Sequence, residues 1–467
     1  MKNDDFIIRF DLGSLLLTPP EGVKMPAIPG VEIKFDARVN AFRSRGMDYG
    51  RIIIFLRRHQ LPYQDLACNF AALPELQGNF AFQPYPHQQN AFECWKKAGY
   101  SGVVALPTGG GKSFLAAMTI NFLKRPTLIM VPTIDLVEQW HSMLGKIFNS
   151  EIGMLGGGEK NITPITVSTY DSAVLQMEFI GNRFALLVAD ECHHLPGPVN
   201  RLAAICAIAP YRLGLTATPE MTPESEITLT QLMGKLVCQI SVNELEGKVL
   251  APYDTEIIEV PLDPDEDELY REQREIYINF VKINNIQFNM HDGWRKFIAL
   301  CSRSAVGRAA FKAYLEQRKI ARGGKSKMRK VWEIIMRHRQ SRIIVFTADN
   351  DMAYELGKKF FLPVLTCQTK LKERKIFLEK FRSGEYPILI TSKVLNEGVD
   401  VPEAEVAIVV SGSGSVREHV QRLGRVLRSS VGKRAILYEL ISANTNEIYT
   451  SLRRRSHEAY ISRLCKS

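Results

Sequence analysis

The sequence predicts an α/β protein. Two doubly wound parallel-sheet lobes are expected, preceded by a small N-terminal domain and separated by a helical insertion. Three observations predict this. Short apolar runs alternate with stretches of helical period from about residue 100 to residue 217. The same alternation returns after residue 340. Between them lies a charged stretch in which strand signals fade. At 467 residues the chain also exceeds one ordinary core.

Residues 1–78 stand apart, with mixed strand-like and helical pieces. Residues 79–248 form the first lobe. Here "GVVAL" (102–106), "TLIMV" (127–131), "PITVST" (164–169), "ALLVA" (185–189) and "RLGLTA" (212–217) read as strands buried on both faces, because their apolar runs are nearly continuous. Segments such as "SFLAAMTINFL" carry helical period. Residues 249–325 open with "PLDPDEDELYREQREIY" and run into "YLEQRKIARGGKSKMRK", a linker with a helical insertion. Residues 326–467 form the second lobe, with strands "RIIVFT" (342–347), "YPILIT" (386–391), "EVAIVV" (405–410) and "AILYELI" (435–441).

Composition narrows the classes. Apolar residues make up 45% and charged residues 24%, as in a soluble globular protein. The apolar runs fall far short of the roughly 20 residues of a membrane span. The start "MKNDDFIIRF" has acids where a signal peptide is basic, so a cytoplasmic protein without membrane association is expected. The eight cysteines form no CxxC pair, which argues against structural zinc. The net charge of +10 suits a polyanionic partner such as nucleic acid, and equally a basic soluble surface.

"ALPTGGGKSF" (105–114) follows a predicted strand and opens a predicted helix, the context a phosphate-binding loop requires. Gly109, Gly110 and Gly111 permit a tight turn that aims N–H groups inward, with Pro107 and Thr108 completing the cradle. Lys112 reaches the terminal phosphates, and Ser113 is a magnesium ligand. The strict pattern has glycine six residues before the lysine, where this chain has Leu106. A second "GGKS" (323–326) follows a basic helical stretch and reads as a linker turn.

"ADECHHLP" (189–196) ends another buried strand. In an ATPase with such a loop, Asp190 holds magnesium, partly through water, and Glu191 activates the attacking water. A zinc site is the competing reading. Adjacent His193 and His194 cannot share one face as paired histidines at i and i+4 do. In the second lobe, "VREHVQRLGRVLR" (416–428) reads as a helix with Val416, Val420, Leu423 and Leu427 inward. Gln421, Arg425 and Arg428 share another face, where two arginines suit the charge of a phosphoryl-transfer transition state. That lobe has no phosphate loop of its own, so a site shared by the two lobes is expected. ATP and Mg2+ are the cofactors this reading calls for.

"PTGGGKS", "DECHH", "LTATP", "TSKVLNEGVDVP" and "QRLGRVLR" match in order the motifs of superfamily 2 helicases, whose lobes are RecA-like. "DECHHLP" resembles the DEVHH form rather than that of DEAD-box RNA helicases. "HQQNAFECW" (87–95) is similar to the adenine-recognising segment, with Gln88 as the contact. With "SGSGSVREHVQRLGR" and the N-terminal "FDARVNAFRSRGMDYGRIIIFLRRHQ" (35–60), the chain resembles the XPB family, its archaeal members in particular. The resemblance implies an ATP-dependent DNA helicase or translocase of 3′ to 5′ polarity. It further implies roles in nucleotide excision repair and promoter opening, and a companion nuclease.

Single-strand/duplex junctions and damaged DNA are the expected partners of a monomeric motor. Thr133, Thr169 and Thr391 are among the expected phosphate contacts. One departure stands out. The family's Arg-Glu-Asp motif, linked to strand separation, is replaced by Met221, Thr222 and Pro223. A duplex translocase without strand separation, or a damage-binding scaffold switched by ATP, are the competing functions.

Overall fold

A computed structural model of the chain describes residues 5–217, 221–240, 244, 253–288, 292–392, 404–411 and 435–455. The chain divides near residue 245 into two compact units.

The first unit begins with a five-stranded sheet. Its spatial order is Lys34–Asp36, Ala41–Arg45, Ser14–Thr18, Phe6–Asp11, Tyr63–Leu66. The pairs are antiparallel except the last, which is parallel. The helix Tyr49–Arg58 turns Tyr49, Ile52, Ile53 and Leu56 inward, the spacing of one helical face. They pack on Phe6, Ile8, Leu15 and Leu17, and Ile208 from the following domain completes that core. Asp48, fully buried before the helix, accepts from Arg45 and Arg51.

The same unit continues into an eight-stranded sheet. Its order is Leu236–Gln239, Ser101–Ala105, Tyr211–Thr216, Leu186–Ala189, Thr127–Val131, Ile165–Thr169, Ile152–Gly156, Glu159–Asn161. Every pair is parallel except the terminal hairpin. All five strands expected for this lobe are present. Parallel strands align their C-terminal ends on one edge; the phosphate loop, Asp190 and Thr133 follow such ends, and Thr169 is the last residue of one. The two domains are stitched where Asn69 N donates to Asn182 O at 3.0 Å and Asn182 Nδ2 donates to Ala67 O at 3.0 Å. Nearby, the buried Arg212 guanidinium donates to the carbonyls of Ala204, Ala207, Ala209 and Leu232 at 2.7–3.1 Å. Burial lowers its pKa to about 10, which leaves it charged at neutral pH.

The second unit holds a six-stranded parallel sheet. Its order is Tyr253–Val260, Ala435–Ser442, Val406–Val409, Ile343–Phe346, Ile388–Thr391, Val364–Leu365. Tyr253–Val260 lies in the segment read from sequence as linker, so the second sheet starts earlier than expected. Helices Pro264–Ile283, Gly293–Arg303 and Ala305–Gly323 form the insertion. Phe280, Phe297, Cys301 and Ala310 are its buried core, edged by Tyr277, Phe311 and Tyr314. The second "GGKS" joins two helices: Gly323 ends one, Lys325 begins the next, and Ser326 Oγ donates to Asp263 at 2.6 Å. No helix among the described residues is long and apolar enough to cross a membrane.

Candidate active site

The loop after Ser101–Ala105 is shaped by glycine conformation. Gly109 and Gly111 have φ of 84° and 83°, a region that favours residues without Cβ. At Gly111 a Cβ would also stand 1.9 Å from Gln88 Nε2. Leu106 needs no such freedom, because it lies outside the positive-φ residues and is fully buried. That explains how leucine replaces the usual glycine. Leu106 N donates to Thr216 O at 2.9 Å and Gly110 N to Pro107 O at 2.9 Å, which fixes both ends of the turn. Thr108 is half-buried on it. The helix Lys112–Leu123 then starts at Gly111, which has no side chain to cap it, so its first N–H groups face the loop. Ser113 is the second residue of that helix and is partly exposed.

Gln88 lies beneath this loop, only 4% exposed. Its Oε1 accepts from Tyr85 N at 2.9 Å, and its Nε2 donates to Gly110 O at 3.4 Å. His87 donates through Nε2 to the same carbonyl at 2.8 Å. Sequence reasoning did not single out His87, although it lies in the adenine-segment stretch already quoted.

Across the loop stand Asp190 and Glu191. Lys112 Nζ and Glu191 Oε1 form an ion pair at 2.8 Å, with both side chains 11% exposed. Glu191 has φ of 46°, left-handed for a non-glycine residue, in the sharp turn that follows the strand. His193 Nδ1 lies 3.5 Å from Glu191 Oε2 and 3.4 Å from Thr216 Oγ1, linking the general-base candidate to the end of the "LTAT" strand. Asp190 is buried, and burial raises its carboxyl pKa; the Lys112 ammonium opposes the rise and the Glu191 charge adds to it.

Trp140 Nε1 donates to Asp190 Oδ2 at 3.0 Å, and Tyr170 Oη donates to the Asp190 carbonyl at 2.8 Å. Neither partner was visible in sequence, since 50 and 20 residues separate them from Asp190.

The glycine-shaped loop, the uncapped helix start and a lysine beside two buried acids fit a magnesium-bound nucleoside triphosphate. Lys112 and the loop N–H groups would hold phosphate, and Ser113 and Asp190 the metal.

Thr133 and Thr169 sit partly exposed at adjacent strand ends. Each caps the helix that follows: Thr133 Oγ1 accepts from Leu136 N at 3.4 Å, and Thr169 Oγ1 from Ser172 N at 3.2 Å. Thr391 differs from these two in burial. Its side chain is fully buried, and Oγ1 has no hydrogen-bond partner among the described residues, so its hydroxyl is not a surface contact in this arrangement. At the place of the Arg-Glu-Asp motif, Thr222 caps the helix Pro223–Met233 through Ser225 N at 3.4 Å, and Met221 packs on the lobe core. Gln421, Arg425 and Arg428 lie outside the described residues.

Fold and site together define a two-lobed phosphate-loop ATPase of the helicase class. The family model "Xeroderma pigmentosum group B helicase damage recognition domain" matches residues 8–67. "Type III restriction enzyme, res subunit" matches 81–221, and "ERCC3/RAD25/XPB C-terminal helicase" matches 319–460. The chain is 36% identical over 423 residues to a "DNA 3'-5' translocase XPB2" of Sulfurisphaera tokodaii, covering 91% of this chain and 95% of that protein. It is 31% identical over 362 residues to a "DNA 3'-5' helicase XPB" of Mycobacterium tuberculosis, covering 74% of this chain and 59% of that protein. The Hef helicase domain of Pyrococcus furiosus shares the fold with a TM-score of 0.51 at 20% identity, over 80% of this chain and 98% of that one. The chain belongs to the XPB family of superfamily 2 helicases.

Proposed function

We propose that the chain is an ATP-driven DNA motor of 3′ to 5′ polarity that acts in DNA repair. The observation that carries the reading is the apposition of Lys112 with Asp190 and Glu191 at the end of one parallel sheet. It supplies a phosphate ligand, a metal acid and a base within one loop cluster. Lys112 and the N–H groups of Gly109 to Ser113 orient the triphosphate of the substrate. Magnesium bound there supplies positive charge that offsets the charge developing on the phosphoryl oxygens. Glu191 orients the attacking water and takes its proton through a carboxylate oxygen. Gln421, Arg425 and Arg428, which the sequence places on one helix face, are the proposed residues that counter transition-state charge. Gln88 is the adenine contact that the resemblance implies; its amide here accepts from Tyr85 N and donates to Gly110 O.

The strand ends carrying Thr133 and Thr169 support a DNA path. Each opens a helix whose first N–H groups suit a phosphate oxygen, and neither contact reads a base. DNA is therefore held through its backbone, and its sequence has little influence on binding.

A second reading is translocation along duplex DNA without strand separation. It is favoured by the helix that begins at Thr222 and Pro223 in place of the Arg-Glu-Asp motif, and by the name of the Sulfurisphaera relative. Hydrolysis and strand displacement on matched single-stranded, duplex and forked DNA test both. The proposal expects hydrolysis stimulated by DNA. Displacement of the forked strand supports the helicase form, and stimulated hydrolysis without displacement supports the translocase form. Hydrolysis indifferent to every DNA removes both.

A further inference from the structure

Asp190 is anchored mainly from one side of the sheet. Its N–H donates to Met130 O at 2.9 Å, on the strand that leads to Thr133. Its Oδ2 accepts from Trp140, on the helix Ile134–Ile147 that Thr133 caps. Its carbonyl accepts from Tyr170, the first residue of the helix that Thr169 caps. Three atoms of the metal acid are thus fixed by the two strand–helix units whose exposed starts are Thr133 and Thr169. In sheet order these units lie on the opposite side of Asp190 from the strand that feeds the phosphate loop.

The linkage is stiff. Trp140 is 2% exposed and shares the buried face of its helix with Leu136, Val137 and Leu144. Tyr170 is 3% exposed. Buried side chains locked by packing cannot shift independently of the helices that carry them.

We infer that Trp140 and Tyr170 are positioning residues that join the Thr133 and Thr169 strand ends to the metal acid, so that a phosphate backbone held at those ends sets the geometry of Asp190. The coupling to DNA rests on the function proposed above; the positioning of Asp190 does not. Hydrogen-bonded partners of metal ligands typically change metal affinity by about 10–100-fold when removed.

The test uses the full chain carrying Trp140→Phe or Tyr170→Phe, each of which deletes a donor and keeps a ring. Trp95→Phe is the control. Its indole is equally buried but donates to Arg212 O at 2.9 Å, at the start of its strand rather than the end. The first readout is the Mg2+ concentration needed for tight binding of a fluorescent ADP analogue, without DNA and without turnover. Trp140→Phe is expected to raise it about tenfold or more, with affinity in the absence of Mg2+ unchanged, while Trp95→Phe leaves it in place. The second readout is the ratio of hydrolysis with and without oligothymidine, expected to fall toward one in both Trp140→Phe and Tyr170→Phe. A wild-type Mg2+ requirement in both variants overturns the inference, as does an equal shift in the Trp95→Phe control. An Mg2+ shift in a chain that DNA never stimulates keeps the positioning role and removes only the coupling.

Discussion

Lys112 and Glu191, 79 residues apart, meet at 2.8 Å and neutralise each other with both side chains only 11% exposed. In the proposed mechanism the two charges take different partners once substrate is bound: phosphate for the lysine, water for the glutamate. A triphosphate therefore competes with Glu191 for Lys112. Glu191→Gln removes the competing charge and the base together. Nucleotide affinity should be equal to or tighter than wild type, while turnover falls by about 10^2–10^4-fold. Parallel nucleotide titration and steady-state turnover check both halves.

Gly111 combines φ of 83° with a Cβ position filled by Gln88. Gly111→Ala must strain the loop or displace the Gln88 amide. A left-handed non-glycine residue costs roughly 1–2 kcal/mol, so the ligand-free chain should lose about that much stability, and nucleotide affinity should fall as well if the loop relaxes out of the cradle geometry. A lowered melting midpoint without nucleotide, together with weakened binding, is the expected pattern in calorimetry.

Arg212 donates to four carbonyls at the seam between the small N-terminal sheet and the first lobe. Arg212→Met keeps much of the aliphatic volume and strips the donors. Each buried carbonyl left without a partner costs about 1–3 kcal/mol, so at least about 3 kcal/mol of stability should be lost. Urea unfolding followed by circular dichroism reads this directly. A midpoint equal to wild type would show that water replaces the guanidinium at no cost.

Arg425 is the second lobe's candidate for transition-state charge. Arg425→Ala should slow single-turnover hydrolysis by about 10^3-fold or more, the scale of a lost arginine finger. Nucleotide binding should change far less, because the proposed phosphate and metal ligands, Lys112, Ser113 and Asp190, belong to the first lobe. An equal loss in both would make Arg425 a binding residue.

The sheets were legible because strands buried on both faces are apolar throughout. "TLIMV" became Thr127–Val131 and "ALLVA" became Leu186–Ala189 to within one residue. Tyr253–Val260 was missed for the opposite reason. As an edge strand it intersperses Asp254, Glu256 and Glu259 with its apolar residues, and a charged run follows immediately. The phosphate loop and the Asp190–Glu191 pair were readable as local motifs. Trp140 and Tyr170 were not, since helical period marks a side chain as buried without saying which distant atom its N–H or O–H meets. The burial of Thr391 was not legible either, because a residue at a strand end can point inward as easily as outward.

The central claim is that the loop from Leu106 to Ser113 runs a DNA-responsive hydrolytic site. Steady-state ATP hydrolysis of the wild type and of Lys112→Ala, each with and without single-stranded DNA, tests it most directly. The account predicts wild-type turnover that rises when DNA is added and a variant whose turnover is negligible in both conditions. Turnover in Lys112→Ala comparable to wild type, or a wild type indifferent to DNA, would contradict it.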